Sequence, residues 1–158
     1  MSALPVYRTG LEADWMDFNG HLRDAYYGLI ASHATDALMD HLGLDAAYRE
    51  RTHCTLYTLE MHVHYLHEVN FSDALEITSS VLDFDGKRIQ LGCLFACARL
   101  SAPAATAEMM LLHVHQGDKP AGAPLPAGAL ATLGALKLSP AARAAFAPSS
   151  RKIELKRH

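Results

Sequence analysis

The sequence predicts an α+β fold in which one long helix precedes a run of antiparallel strands. Residues Asp24–Leu42 carry apolar side chains at helical spacing, and Gly43 stands where a helix C-cap is expected. From Thr55 onward the chain changes to segments that alternate with period two and are rich in β-branched and aromatic residues. Because the strands follow the helix rather than alternate with helices, α+β is favoured over a parallel βαβ sheet.

The predicted sheet has about five strands, of which Thr55–Leu66 is the most regular. Strict alternation would place Leu56, Thr58, Glu60 and both histidines of this strand on one face. Asp85-Gly86 is a hairpin signal, since glycine tolerates the positive φ of such turns. An exposed sheet edge also favours pairing with a second copy. The predicted strands are Leu4–Arg8, Thr55–Leu66, Ala74–Leu82, Arg88–Leu100 and Ala107–His115.

A change of composition near Pro120 divides the chain. The length of 158 residues fits a single domain. We place the body of that domain at residues 1–119. Residues 120–158 are rich in Ala, Pro, Gly and Leu, and we interpret them as a C-terminal arm packed on the same domain. Ala127–Lys137 is predicted as a short helix of that arm, whereas Tyr48–His53 is predicted as a charged connection.

Composition excludes several classes of protein. The formal charge of −3 with no basic stripe argues against nucleic-acid binding. The three cysteines are an odd number without a Cys-x-x-Cys pair, which favours free thiols in a reducing compartment. From the first residues we expect no signal peptide, and no run approaches the ~20 apolar residues of a spanning helix. We expect a soluble cytoplasmic protein with no membrane partner.

The segment Asp17-Phe18-Asn19-Gly20-His21 places a carboxylate just before the predicted helix. A helix N-terminus offers unpaired N–H groups that can hold an oxyanion during acyl transfer. A carboxylate beside it could attack the carbonyl of a thioester or activate a water that does so. Gly20 would let the backbone approach a substrate closely. The alternative is that Asp17 or Asn19 merely caps the helix, and spacing alone favours that interpretation.

The string DWMDFNGHLRDAYY resembles the signature of the 4-hydroxybenzoyl-CoA thioesterase group of hotdog-fold enzymes, Asp-x-x-Gly-His-x-Asn-Asn-x-x-Tyr. Asp17, Gly20, His21 and Tyr27 fall on its positions. Later segments match in order, so that the resemblance covers roughly residues 5–116. The stretches TLYTLEMHVHYLHEV and VLDFDGKRIQL and the tail with Arg151-x-Ile153 most resemble the betainyl-CoA thioesterase branch.

This resemblance implies a long central helix wrapped by the sheet and the hydrolysis of a short-chain, in this branch betainyl, acyl-CoA. Asp17 would be the nucleophile or general base in a loop with Gly20 and His21. Backbone N–H groups near Arg23 and Asp24 would polarise the thioester carbonyl, although the family usually has two asparagines there. The resemblance also implies a homodimer or homotetramer with the site at the subunit interface. It requires no metal and no cofactor, since CoA is part of the substrate.

Substrate contacts are predicted for a further set of side chains around this loop. Three roles are open to Glu60: to orient water, to pair with Arg23 or to neutralise a cationic acyl group. The alternative to all three is an ordinary solvated or salt-bridged carboxylate. Aromatic faces can hold a quaternary ammonium, but aromatic clusters are more often core. Lys87, Arg88 and the basic tail Arg151–Arg157 are candidates for the CoA phosphates. The predicted substrate-binding residues are Trp15, Asn19, Arg23, Tyr27 and Glu60; further aromatic candidates are Phe18, Tyr26, Tyr57 and Tyr65.

Three other interpretations compete with hydrolysis by Asp17. The pairs His62/His64 and His113/His115 have the spacing of metal ligands on strands, but no cysteine or carboxylate pattern supports a metal site. A hotdog hydratase or dehydratase would use a histidine with a carboxylate, and His21 keeps that open. A non-catalytic acyl-CoA-binding module is the third.

Overall fold

The computed structural model describes residues 4–146, which form a six-stranded antiparallel sheet, four α-helices and one short 3₁₀ helix at Ala13–Trp15. The strand order is β1-β3-β4-β5-β2, and β6 pairs with the end of β5. Helix α1 contacts β1 and β2, the strands at the two edges of the order, as well as β3, so the sheet curls around it. The hotdog architecture is confirmed. The elements are β1 Val6–Thr9, α1 Asp24–His41, α2 Ala46–Thr52, β2 Cys54–Tyr65, β3 Leu75–Phe84, β4 Arg88–Ala96, β5 Ala105–His115, β6 Ala121–Gly122, α3 Ala127–Leu136 and α4 Pro140–Ala145.

Helix α1 buries one face against the sheet because its apolar and small residues share that face. Ile30, Ala31 and Leu38 are almost completely inaccessible and belong to one core with the strand side chains. Gly28 faces the Met61 side chain of β2, and a Cβ there would make an ordinary contact of 3.7 Å with the Met61 sulfur. The helix stops as predicted at Gly43, whose φ of +73° is the left-handed conformation of a C-terminal glycine.

Strand β2 contains a bulge that overturns the predicted faces. Its register against β5 shifts between Thr58 and Glu60, so Leu59 is an extra residue. Leu56 and Thr58 pair with the inward-facing residues of β5 and share the helix side with Met61. The prediction that Leu56 and Thr58 lie on the same face as Glu60 was therefore wrong. An insertion of one residue reverses the alternation of everything after it.

Two local predictions differ from the structure because of short-range hydrogen bonds. The segment predicted as a charged connection contains helix α2, whose first turn is capped by the Asp45 carboxylate accepting from Tyr48 N–H at 2.8 Å. Strand β4 ends at Ala96 rather than Leu100, because the Leu100 N–H bonds back to the Cys97 carbonyl at 3.1 Å in a turn.

The C-terminal arm packs on both sides of the sheet: α3 contributes Ala129 and Leu133 to the core shared with α1, whereas α4 and Phe146 lie on the outer side. The Leu138 N–H donates to the Val81 carbonyl, and Arg143 donates to the Leu82 carbonyl at 2.9 Å. The Phe146 ring lies directly over Gly92.

The basic tail Arg151–Arg157 is outside the described residues, and the domain boundary after residue 119 stays a prediction. None of the described helices is long and apolar enough to cross a bilayer. The predicted free thiols are confirmed for Cys54, Cys93 and Cys97, all buried.

Candidate active site

The loop before α1 is held together by the Asp17 side chain. One carboxylate oxygen, Oδ1, accepts the backbone N–H of Asn19 at 2.8 Å and that of His21 at 3.0 Å. Gly20 adopts φ +79°, which a side chain would strain. Helix α1 has Arg23 as its N-cap, without any side-chain cap. The capping alternative is therefore wrong for α1, because Asp17 organises its own loop instead.

The Asp17 carboxyl is an anion at neutral pH. The His21 N–H that bonds it is the main reason that its pKa lies below the ordinary value of 3.8, and the Asn19 N–H and the His21 and Arg23 side chains act in the same direction. The second oxygen, Oδ2, accepts no hydrogen bond from residues 4–146. An ionised carboxylate with one oxygen fixed and one available can take a proton from water or attack a carbonyl.

The N-terminus of α1 leaves one backbone donor available. Arg23 N–H donates to the Trp15 carbonyl at 2.9 Å, and Ala25 N–H donates to the Asp24 carboxylate at 2.9 Å. Tyr26 N–H donates to the Arg23 carbonyl at 3.1 Å. Within the described residues the Asp24 N–H has no acceptor. It lies in the first turn of the helix, where the partial positive charge of the helix is concentrated.

Asp17 and the start of α1 line one cavity of about 560 Å³. Two tyrosines form its aromatic wall: Tyr27 is buried, Tyr65 is half exposed, and their rings meet edge to face at 5.1 Å. The Tyr65 hydroxyl donates to the Asp24 carbonyl at 3.2 Å. Burial raises the pKa of Tyr27 to about 12, so its hydroxyl stays protonated. The lining residues are Asp17, Phe18, Asn19, His21, Leu22, Arg23, Asp24, Tyr27, Tyr65, Leu66, His67 and Glu68.

The cavity contains a carboxylate that sequence reasoning missed. Glu68 lies 3.4 Å from the His21 ring nitrogen Nε2. The chain after β2 reaches the loop because the Leu22 N–H donates to the Val69 carbonyl and the backbones of His21 and Asn70 form an isolated antiparallel β-bridge. The one available signal was the position of residues 66–68 directly after the longest strand, which does not by itself indicate which loop they meet.

Arg23 lines the cavity with a guanidinium that forms no hydrogen bond or ion pair within residues 4–146. Trp15 lies behind the cavity: its ring stacks on Tyr26 at 5.5 Å, and its carbonyl accepts the Arg23 N–H. Gly20 shapes the loop without lining the cavity. Of the predicted residues, Asp17, Asn19, His21, Arg23, Asp24 and Tyr27 lie together.

Glu60, Lys87 and Arg88 do not lie at this cavity. Glu60 is exposed near the middle of β2, on the outer side of the sheet. Lys87 and Arg88 occupy the β3–β4 hairpin at the opposite end of the sheet, where Arg88 pairs with Asp85. Within one subunit the structure thus separates all three from Asp17, and their substrate roles stay predictions that need a second subunit.

The two histidine pairs do not meet. His62 and His64 face outward opposite Glu108 and Thr106, whereas His113 lies on the helix side at the other end of β5. Among the described residues no group of three or more His, Cys, Asp or Glu side chains is arranged to hold a metal ion. A second cavity of similar size is lined by Arg8, Glu76 and Cys97, but Arg8 is already paired with Glu76 at 2.8 Å.

Comparison with known proteins places this geometry in a class. Residues 11–135 match the model of the thioesterase-like superfamily, and the chain belongs to that family. It is thus a hydrolase of thioester bonds, as the resemblance implied, and the acyl-CoA thioesterase assignment is confirmed.

Particular relatives sharpen the class. The chain is 41% identical over 133 residues to a betainyl-CoA thioesterase of Pseudomonas aeruginosa. The aligned residues cover 84% of this chain and 83% of the relative. A solved structure of a putative thioesterase from Pseudomonas putida is 38% identical, with a TM-score of 0.79 and 99% of each chain covered. A Staphylococcus aureus protein solved in complex with CoA shares the fold, with a TM-score of 0.84 at 24% identity over 98% of this chain and 96% of that one.

Proposed function

We propose that this chain hydrolyses a short-chain acyl-CoA, with betainyl-CoA as the substrate, and that Asp17 and the Asp24 N–H carry the reaction. The single observation that supports these roles is their juxtaposition. An anionic carboxylate with one available oxygen and a helix-terminal N–H with no acceptor line the same cavity.

The chemistry follows from what each group can do. As general base, Asp17 takes a proton from water while the water oxygen bonds to the thioester carbon; as nucleophile, its oxygen forms that bond itself and water hydrolyses the resulting anhydride. In both routes the carbonyl oxygen becomes an oxyanion, which the Asp24 N–H stabilises. Collapse breaks the carbon–sulfur bond, and the CoA thiolate leaves and is protonated. No cofactor is needed beyond the CoA of the substrate.

The acyl group is assigned from similarity and from the cavity together. The relative at 41% identity is named for betainyl-CoA. The cavity is aromatic on one side and lined by carboxylates, which suits a cationic group.

A thiol-release screen across betainyl, other short-chain and aromatic CoA esters tests the proposal. Betainyl-CoA should be the best substrate, and Asp17→Asn should abolish its turnover. Turnover by Asp17→Asn at the wild-type rate overturns the role of Asp17. The His21–Glu68 pair is the feature that a hydratase would use, so hydration of an enoyl-CoA without thiol release would favour that class. Saturable binding without turnover of any ester would favour a binding module.

We further propose a cytoplasmic homodimer or homotetramer joined along β2. This strand has β5 as its one neighbour in the described sheet, and its middle residues 58–60 are exposed. Among these, Leu59 exposes apolar surface, as does Leu66 directly after the strand. Such an edge pairs readily with a second copy. Light scattering that shows a stable, active monomer would contradict this assembly.

A further inference from the structure

The candidate cavity is acidic, although its proposed substrate is carried by a polyanion. Asp17, Asp24 and Glu68 contribute carboxylates, and Arg23 is the single Lys or Arg side chain among the lining residues. Negative charge opposes the phosphates of CoA, so it can favour binding only at the other end of the substrate, the acyl group. The negative charge of the cavity therefore bears on the charge of the acyl group.

Asp24 contributes two opposite effects at one position. Its N–H is free to stabilise an oxyanion, but its carboxylate is held in the first turn of α1 by the Ala25 N–H at 2.9 Å. A fixed negative charge close to a developing oxyanion disfavours the transition state of a neutral ester. A fixed positive charge on the acyl group would offset it.

Tyr65 places an aromatic ring beside the same helix start. Its hydroxyl is tethered to the Asp24 carbonyl at 3.2 Å, and its ring packs edge to face with the buried Tyr27. Half of the residue remains exposed in the cavity wall. A tethered ring with an open side can hold a quaternary ammonium by cation–π attraction, which is worth roughly 2- to 30-fold in affinity.

Resting on the proposed function, we propose that Asp24 and Tyr65 determine specificity by seating a fixed positive charge on the acyl group. The Asp24 carboxylate supplies the counter-charge, and the Tyr65 ring supplies the aromatic face.

The test compares two esters of the same shape, betainyl-CoA and tert-butylacetyl-CoA, in which carbon replaces the quaternary nitrogen. The wild type should have the higher kcat/KM for betainyl-CoA. Asp24→Asn should lower the ratio of the two kcat/KM values by roughly tenfold, because it removes one charge near the ammonium. Tyr65→Leu should lower the ratio by roughly 2- to 30-fold. Tyr65→Phe should retain most of it.

Asp36→Asn is the matched control, since Asp36 is an exposed carboxylate on the same helix outside the cavity, and it should leave the ratio unchanged. If the wild type, Asp24→Asn and Tyr65→Leu give equal ratios, Asp24 and Tyr65 do not determine specificity, while the assignment as a thioesterase is unaffected. If the wild type hydrolyses neither ester, the proposed function fails. In that case titration calorimetry measures the dissociation constants of the two esters. Equal constants would overturn the proposal that Asp24 and Tyr65 bind the positive charge.

Discussion

The two ends of the sheet differ in whether their polar groups have hydrogen-bond partners. At the end with Asp17, one carboxylate oxygen, the Asp24 N–H and the Arg23 guanidinium have no hydrogen-bond partner in the described chain. At the other end, the buried His113 uses both ring nitrogens: Nδ1 donates to the Ala123 carbonyl at 2.9 Å, and Nε2 shares a hydrogen bond with the Tyr48 hydroxyl at 3.0 Å. Since a carbonyl can only accept, Nδ1 is the donor of the first of these bonds.

The difference separates groups kept for chemistry from groups used for stability. A buried polar group with all its partners stabilises the fold, whereas unpartnered groups at a cavity are available to a substrate. His113 drew attention in the sequence as half of a possible metal pair. Its partners make it a structural residue that joins β5 to α2 and to the start of the arm.

The largest expected effect is on turnover at the Asp17 end. Asp17→Asn should reduce kcat by about 10²–10⁴-fold, because an amide is neither a base nor a nucleophile. Its carbonyl can still accept the Asn19 and His21 N–H groups, so the thermal midpoint should move little. Asp14→Asn, an exposed carboxylate just upstream and outside the cavity, is the control. Loss of folding together with activity would make Asp17 a structural residue.

The opposite end should show the reverse pattern. His113→Ala should lower the free energy of unfolding by about 2–4 kcal/mol, because it leaves the Tyr48 hydroxyl and Ala123 carbonyl unpaired and opens a cavity. Urea unfolding measures it, with the exposed His115→Ala as the control. The folded variant should keep its kcat. A large loss of kcat in folded His113→Ala would break the distinction between the two ends.

A smaller loss of stability is expected on the outer side of the sheet. Gly92→Ala would push a Cβ into the Phe146 ring and displace the arm, at a cost of about 1–3 kcal/mol. Adding Phe146→Ala should make the double variant more stable than the sum of the two single losses predicts. Gly128→Ala, which meets no atom within 4 Å, should cost nothing. Additive losses would show that Phe146 does not restrict position 92.

The smallest expected effect is on pH dependence. The pKa of Asp17 lies below 3.8, mainly because of the His21 N–H, and the reactive form is the anion. The acid limb of kcat/KM should therefore lie below the usual range of an aspartate, with activity lost only as the pH falls through this lowered pKa. Arg23→Gln removes a favourable charge and should move the limb to higher pH, whereas Arg23→Lys should not. A limb that stays in place in Arg23→Gln would exclude Arg23 from this role.

Periodicity was sufficient for the helix and most strands, because α1 and β2–β5 bury one face each and their sequences follow it. It failed at Leu59, where one inserted residue reverses the faces of β2. It also failed at α2, whose seven residues are too few for a periodic signal and depend on the Asp45 cap.

For the site, the sequence alone determined the Asp17-x-x-Gly20-His21 loop and its place before a helix, because all these residues are close together in the chain. Only the tertiary structure decided whether Asp17 caps that helix or leaves it open, since the answer depends on which N–H groups its carboxylate reaches. Tertiary structure likewise brought Tyr65 and Glu68 to the loop and kept Glu60 away from it. These distances are set by the bulge in β2 and by the pairing of residues 69–70 with the loop, and neither is a local property of the sequence.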